Sequence, residues 1–237
     1  MAEIILALDV ASADQALRLL DGLPELRWVK VGSVLMTREG APFVAELRAR
    51  GLQVFLDLKW HDIPNTVAGA VEAAAGLGVA MATVHALGGQ TMLRAAQVAA
   101  GGRLGLVGVT VLTSHSAEEY AAAVGRGAGL KVAPVQPGSL DAEVARLAGL
   151  AAAAGLRGVV CSPREIEIVL PELPAGAWVV VPGIRRAGDA AGDQVRTATP
   201  REAVKRGATH LVVGRPILNA SAPAQVLAEL LTEVGRP

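Results

Sequence analysis

The sequence predicts a single-domain TIM (β/α)8 barrel spanning residues 1–237, and three observations carry that expectation. First, 237 residues suit a closed α/β barrel, which typically needs roughly 250. Second, short apolar runs alternate along the chain with longer Ala/Leu-rich segments charged on one face, the pattern of repeated βα units around a parallel sheet. Third, polar residues break the apolar runs near their C-terminal ends, where barrels of this kind place their chemistry.

The elements follow in order. The first run, Ile4 to Leu8, stops at Asp9, and Ser12 or Asp14 can open the first helix. The second, Trp28 to Val31, contains Lys30, and Pro42 suits the opening turn of the helix behind it. The third, Val54 to Leu58, leads to Pro64, which suits a helix start. The fourth is Ala80 to Val84. It lies within Ala73 to Leu93, a stretch without acidic or basic residues, but Gly76, Gly78, Gly88 and Gly89 interrupt it. It therefore reads as a helix end, a buried strand and a turn, and no membrane span is expected.

The fifth run is Leu104 to Val111. From Ala117 to Gly138 the repeat is least regular, and an extra helix followed by a loop fits best. Gly125, Gly127 and Gly129 imitate part of a dinucleotide fingerprint, but no strand leads into them. The clearest helix runs from Asp141, as a possible cap, to Ala154, with Val144, Leu147, Ala151 and Ala154 on one face. The last three runs are Gly158 to Cys161, Trp178 to Val181 and His210 to Val213, with Pro200 and Pro216 at helix starts. Gly188 to Asp193 has the composition of a loop able to close over a ligand.

The 22 basic and 22 acidic side chains balance without like-charge blocks, so a nucleic-acid or anionic-membrane partner is not expected and a small molecule is. The N-terminus lacks a basic n-region, and Asp9 arrives before a signal-peptide core is complete. Cys161 has no cysteine partner and reads as a buried strand-end thiol. These features predict a reducing, cytoplasmic location.

Strand alternation places Phe55, Asp57 and Lys59 on one face of the third run, with Leu56 and Leu58 opposite. The same period pairs Trp28 with Lys30 and aligns Ile5, Ala7 and Asp9. Lys30, Asp57 and Lys59 therefore enter the barrel mouth together, and Asp62 could complete an alternating set. Ammonium groups beside a carboxylate offset part of the cost of burying it. A purely structural ion network is the competing reading, but charges gathered at strand ends are more readily explained by chemistry.

These residues resemble a family signature. Asp57-Leu58-Lys59-Trp60-His61-Asp62-Ile63-Pro64-Asn65-Thr66 is similar to the DxKxxDIPNT motif of the orotidine 5′-monophosphate decarboxylase family. Further matches are His85-Ala86 with Gly88-Gly89, Val111-Leu112-Thr113-Ser114, Pro182-Gly183-Ile184-Arg185, Asp193-Gln194 and Val213-Gly214-Arg215-Pro216-Ile217. Arg186 departs from the pattern, since the family often has proline there.

The resemblance implies conversion of orotidine 5′-monophosphate (OMP) to uridine 5′-monophosphate (UMP) and CO2, the last step of de novo UMP synthesis. It implies that Lys59 protonates C6 of the pyrimidine, with Lys30, Asp57 and Asp62 completing the catalytic array. Asp9 and Lys30 are implied at the ribose, Thr113 near the base, and Arg185, Gln194, Gly214 and Arg215 at the phosphate. Asp62, Ile63 and Thr66 are implied to reach the neighbouring subunit's site, so a homodimer with shared active sites is expected.

No metal and no cofactor are expected, because an ammonium aimed at C6 can both stabilise and protonate a developing carbanion. The alternative is a metal-assisted phosphosugar decarboxylase or aldolase on the same barrel, against which Lys30 would repel a divalent cation. His61 is expected to make a structural hydrogen bond and His85 to support the scaffold. His115 and His210 carry no usable signal.

Overall fold

The computed structural model describes residues 2–124, 139–186 and 197–235. Eight parallel strands close on themselves in sequence order: β1 (Glu3–Ala7), β2 (Trp28–Gly32), β3 (Gln53–Trp60), β4 (Met81–His85), β5 (Gly105–Val109), β6 (Gly158–Val160), β7 (Trp178–Val181) and β8 (His210–Val213). β8 pairs back onto β1, with Ile4 opposite Leu211 and Leu6 opposite Val213, so no strand edge is left open. All eight expected runs are strands.

Alternation sorts the strand residues between two cores. Ile5, Ala7, Phe55, Met81, Val107, Val180 and Val212 point inward and fill the barrel. Their neighbours Ile4, Leu6, Val29, Val31, Leu56, Val159, Val179, Leu211 and Val213 point outward to the helices. Each fully buried Leu, Val or Phe contributes roughly 1.5–3 kcal/mol of transfer free energy, so a register slip that exchanged the faces would be strongly disfavoured. At the N-terminal end Trp28 packs edge to face with Trp178 and His210, which are tilted against each other, with centroids 5.0–6.3 Å apart, and the three plug the barrel. The polar residues at the strand ends gather at the C-terminal mouth, where a cavity opens.

The helices are α1 (Ala13–Asp21), α2 (Ser33–Ala49), α3 (Pro64–Gly76), α4 (Gly89–Ala100), α5 (Ala117–Ala123), α6 (Ser139–Ala153), α7 (Ile166–Val169), α8 (Pro200–Arg206), α9 (Arg215–Leu218) and α10 (Pro223–Glu233). Ser12 caps α1 by accepting from the Gln15 amide, and Pro64, Pro200 and Pro216 open α3, α8 and α9. The second helix begins before Pro42. It breaks at Gly40, whose φ of 65° and ψ of −157° only glycine adopts readily, and Pro42 opens the second half.

The sequence expectations need adjustment elsewhere. α6 starts at Ser139, so Asp141 lies in its first turn and is not the cap. The apolar Leu140 packs against the core and draws the helix two residues further back. Its Val144, Leu147, Ala151 and Ala154 face is buried as expected. β3 extends through Trp60, whereas β5 stops at Val109 and leaves Val111 and Thr113 on the loop. The irregular stretch does open with a helix, α5, held by a reciprocal capping box between Ser116 and Glu119. Gly125, Gly127 and Gly129, and the proposed loop to Gly138, lie outside the described residues, as do Gly188 to Asp193. Among the described residues no helix is long and apolar enough to cross a membrane.

Candidate active site

Four side chains from two adjacent strands and the loop after a third form an alternating row of charge. Asp9 follows β1, Lys30 lies on β2, and Asp57 and Lys59 lie on β3. Lys30 Nζ is 3.1 Å from Asp9 Oδ1 and 3.6 Å from Asp57 Oδ2, and Lys59 Nζ donates to Asp57 Oδ1 at 2.9 Å. Lys30 thus sits between two carboxylates, and Asp57 between two ammonium groups. Such mutual pairing is what allows charges to persist in a site of reduced water access.

Exposure separates the roles of the two lysines. The Lys30 side chain is 11% exposed and that of Asp57 13%, whereas Lys59 is 42% exposed. Lys59 is therefore the ammonium presented to the mouth, held by Asp57, which Lys30 pairs from the other side. Lys59 is also the only non-glycine with positive φ among the described residues, at 52°, a conformation costing about 1–3 kcal/mol. A shift in the β3–β4 register between Leu56 and Trp60 produces it.

The row borders a cavity of about 700 Å³ at the C-terminal mouth. Asp9, Lys30, Asp57, Lys59, Thr113, Arg185, Gly214 and Arg215, all singled out from the sequence, line it. Its apolar floor is Phe55, Val160 and Val212. Arg185 is buried and donates to the carbonyl of Ile184 at 2.8 Å. Arg185, after β7, and Arg215, after β8, add two guanidinium groups to the lining, the forked donors that suit a phosphate. Arg186, at the position that departs from the family pattern, pairs with Glu229 at 3.4 Å.

Not every expected residue joins this set. Asp62, Ile63 and Thr66 are exposed and line no part of the cavity in their own chain. The Asp62 carboxylate accepts from the Ile63 amide at 2.6 Å instead. Within one chain the alternating row is closed by Asp9, not by Asp62, because the turn after β3 carries Asp62 away from the mouth. Gln194 lies outside the described residues.

The histidines are explained locally. His61 has no hydrogen bond among the described residues, contrary to expectation, and stacks on His85 with centroids 5.3 Å apart. His85 does support the scaffold: its Nδ1 accepts from the Leu87 amide at 3.4 Å. Burial, helped by the nearby His61 and Lys59 charges, pushes its pKa down to about 4. Burial likewise lowers His210 to about 4 and raises the thiol of Cys161, which is wholly buried after β6 as expected.

Sequence reasoning missed two neighbours of the row. Gly32 leaves space that a Cβ would take, 3.2 Å from Lys30 Nζ and 3.6 Å from Asp9 Oδ1. Thr83 on β4 is fully buried and bonded to Asp57 and to the Lys59 backbone. Alternation from Met81 would have put Thr83 on the inner face, a polar residue among apolar ones, and that was the available signal. Among the described residues no group of three His, Cys, Asp or Glu side chains is arranged to hold a metal ion.

Fold and site together define a (β/α)8 barrel whose mouth cavity is lined by a paired-charge row and by two arginines, a setting suited to a small anionic ligand. Comparison with known proteins narrows that class. The model of the orotidine 5′-phosphate decarboxylase / HUMPS family matches residues 2–230, and the chain belongs to that family. It is 51% identical to the orotidine 5′-phosphate decarboxylase of Halorhodospira halophila, covering 98% of this chain and 95% of the relative. It is 47% identical to that of Pseudomonas fluorescens, covering 98% and 97%. The crystal structure of the Lactobacillus acidophilus orotidine 5′-phosphate decarboxylase superposes with a TM-score of 0.84 at 33% identity, covering 99% of this chain and all of the other.

Proposed function

We propose that this chain is a carboxy-lyase that decarboxylates OMP to UMP and CO2 in pyrimidine biosynthesis. Full-length relatives named for that reaction support the reading. The observation that carries it on this chain is the Asp9–Lys30–Asp57–Lys59 row, with Lys59 facing the cavity.

Departure of CO2 from C6 leaves an electron pair in the plane of the ring, out of conjugation with its π system. The Lys59 ammonium stabilises that pair electrostatically and then transfers a proton to C6, completing UMP. Asp57, 2.9 Å from Lys59 Nζ, aims it. Lys30 holds Asp57 from the other side and, with Asp9, meets the ribose hydroxyls. Arg185, Gln194, Gly214 and Arg215 bind the phosphate, and Thr113 lies near the base. Phosphate binding remote from C6 contributes through orientation and closure of the site.

The active form is a homodimer in which Asp62, Ile63 and Thr66 complete the partner's site. Ile63 is 67% exposed and Val34 60%, large apolar side chains on the segments that follow β3 and β2. Their exposure supports burial against a second copy. The balanced charge and the lone buried cysteine support residues 1–237 acting as one cytoplasmic unit without a nucleic-acid or membrane partner.

The metal-assisted phosphosugar alternative is not favoured, because the Lys30 ammonium lies between Asp9 and Asp57, where a divalent ion would need those carboxylates. Loss of OMP absorbance with the purified chain, with and without chelator, tests the assignment. Equal turnover in both is expected. Turnover lost on chelation and restored by one divalent ion would overturn metal independence, and no turnover in either would overturn the reaction.

A further inference from the structure

We propose that Thr83 is a positioning residue for decarboxylation, its hydroxyl fixing both the Asp57 carboxylate and the backbone of Lys59 so that the ammonium points at the reacting carbon. The proposal rests on Lys59 being the group presented to C6.

The β3–β4 ladder explains why a hydroxyl is needed there. Leu56 pairs with Ala82, and the next pairing is Trp60 with Val84, so Asp57, Leu58 and Lys59 all face the single residue Thr83. Two additional residues on one strand twist it and break the regular exchange of backbone hydrogen bonds. The twist appears as the left-handed backbone of Lys59. Its amide finds a partner in Thr83 Oγ1, at 2.8 Å. The one proton of that hydroxyl is then donated to Asp57 Oδ1, at 3.1 Å. The same carboxylate oxygen accepts from Lys59 Nζ at 2.9 Å.

Thr83 Oγ1, Asp57 and Lys59 therefore form a closed loop of contacts. The hydroxyl replaces the ladder bond that the bulge removes, and it orients the carboxylate that orients the ammonium. Thr83 is fully buried and does not line the cavity, so it acts through Asp57 and Lys59. Its strand neighbours Ala82 and Val84 face the outer core and make no such contact. Valine at position 83 would fill nearly the same volume while leaving the Lys59 amide and one Asp57 contact unmade. The strained backbone of Lys59 would then relax and carry the ammonium off its line.

The test compares Thr83→Val, Thr83→Ala and Thr83→Ser in the full chain by kcat and KM for OMP, by UMP dissociation constant, and by thermal melting. Val and Ala should each lower kcat by about 10–100-fold, the scale on which small misplacements act. UMP binding should change less than about threefold, and Ser should keep kcat within about threefold of the parent. Should the Val protein not fold, the Ala and Ser pair decides by the same criteria. Wild-type kcat in the Val or Ala protein would overturn the role, as would UMP binding lost in step with kcat, or a Ser protein no better than Ala. A parent chain inactive on OMP would overturn the assigned reaction, and this role with it.

Discussion

Lys59 and Lys30 are chemically identical side chains given different work by their surroundings. Lys30 is enclosed between Asp9 and Asp57, and Lys59 is held by Asp57 alone on the open side. Gly32 is part of that difference, because a methyl group there would meet the Lys30 ammonium at 3.2 Å. Gly32→Ala should push the ammonium away from the carboxylates and lower kcat/KM by about tenfold without loss of fold. Steady-state kinetics alongside a melting curve check this, and unchanged kinetics would show that the ammonium yields freely. In the same cavity, Arg215→Ala should raise KM and slow turnover by at least about tenfold, because phosphate binding would serve closure as well as affinity. Unaltered values in a folded variant would remove Arg215 from the phosphate site. Charge and alternation made the row legible in the sequence. Gly32 was not, because its importance lies in its distances to the Lys30 and Asp9 side chains, and Thr83 left only the hint of a polar residue at an inward position of β4.

Among the elements, α2 and β3 show where a local pattern ends and tertiary demands take over. The apolar pattern and Pro42 marked the second half of α2, but its first half, from Ser33, was hidden by the break at Gly40. A side chain at Gly40 would have to adopt φ of 65° with ψ of −157°. Gly40→Ala should therefore destabilise the protein by about 1–3 kcal/mol, lowering its melting temperature by roughly 2–4 °C for each kcal/mol. An unchanged melting temperature would mean that the two halves of α2 can join without the kink. In β3, the alternation of Phe55, Asp57 and Lys59 correctly placed all three toward the interior and mouth. The register shift opposite Thr83 had no local signature, since it exists only in the pairing of β3 with β4. The helix starts marked by the Ser12 cap and by Pro64, Pro200 and Pro216 in first turns were legible because such signals are properties of a few consecutive residues.

At the scale of the whole molecule, one buried and one partly buried histidine connect the two ends of the barrel to its stability. His210 at the N-terminal plug and His85 beside the mouth both have pKa values near 4 when folded, below the ordinary 6.5. The unfolded chain therefore binds more protons between these values. Their contribution to stability is complete above about pH 6.5 and is lost as pH falls toward 4. The melting temperature should fall between pH 7 and pH 5, and His210→Phe should make that fall shallower. An unaltered slope would show that the ring does not titrate on unfolding in this range. Assembly is the level that the sequence of one chain shows least: Asp62 belongs to the signature, yet its own chain turns it away from the cavity. In the proposed mechanism a second copy supplies it. The most direct measurement is OMP turnover by purified mixed dimers, differentially tagged, made by co-refolding Lys59→Ala with Asp62→Ala. Each parent should be nearly inactive. In the mixed dimer one site carries both defects and the other neither, so symmetry predicts about half the wild-type rate per dimer. Mixed dimers no more active than either parent would contradict a site built from Lys59 of one chain and Asp62 of the next.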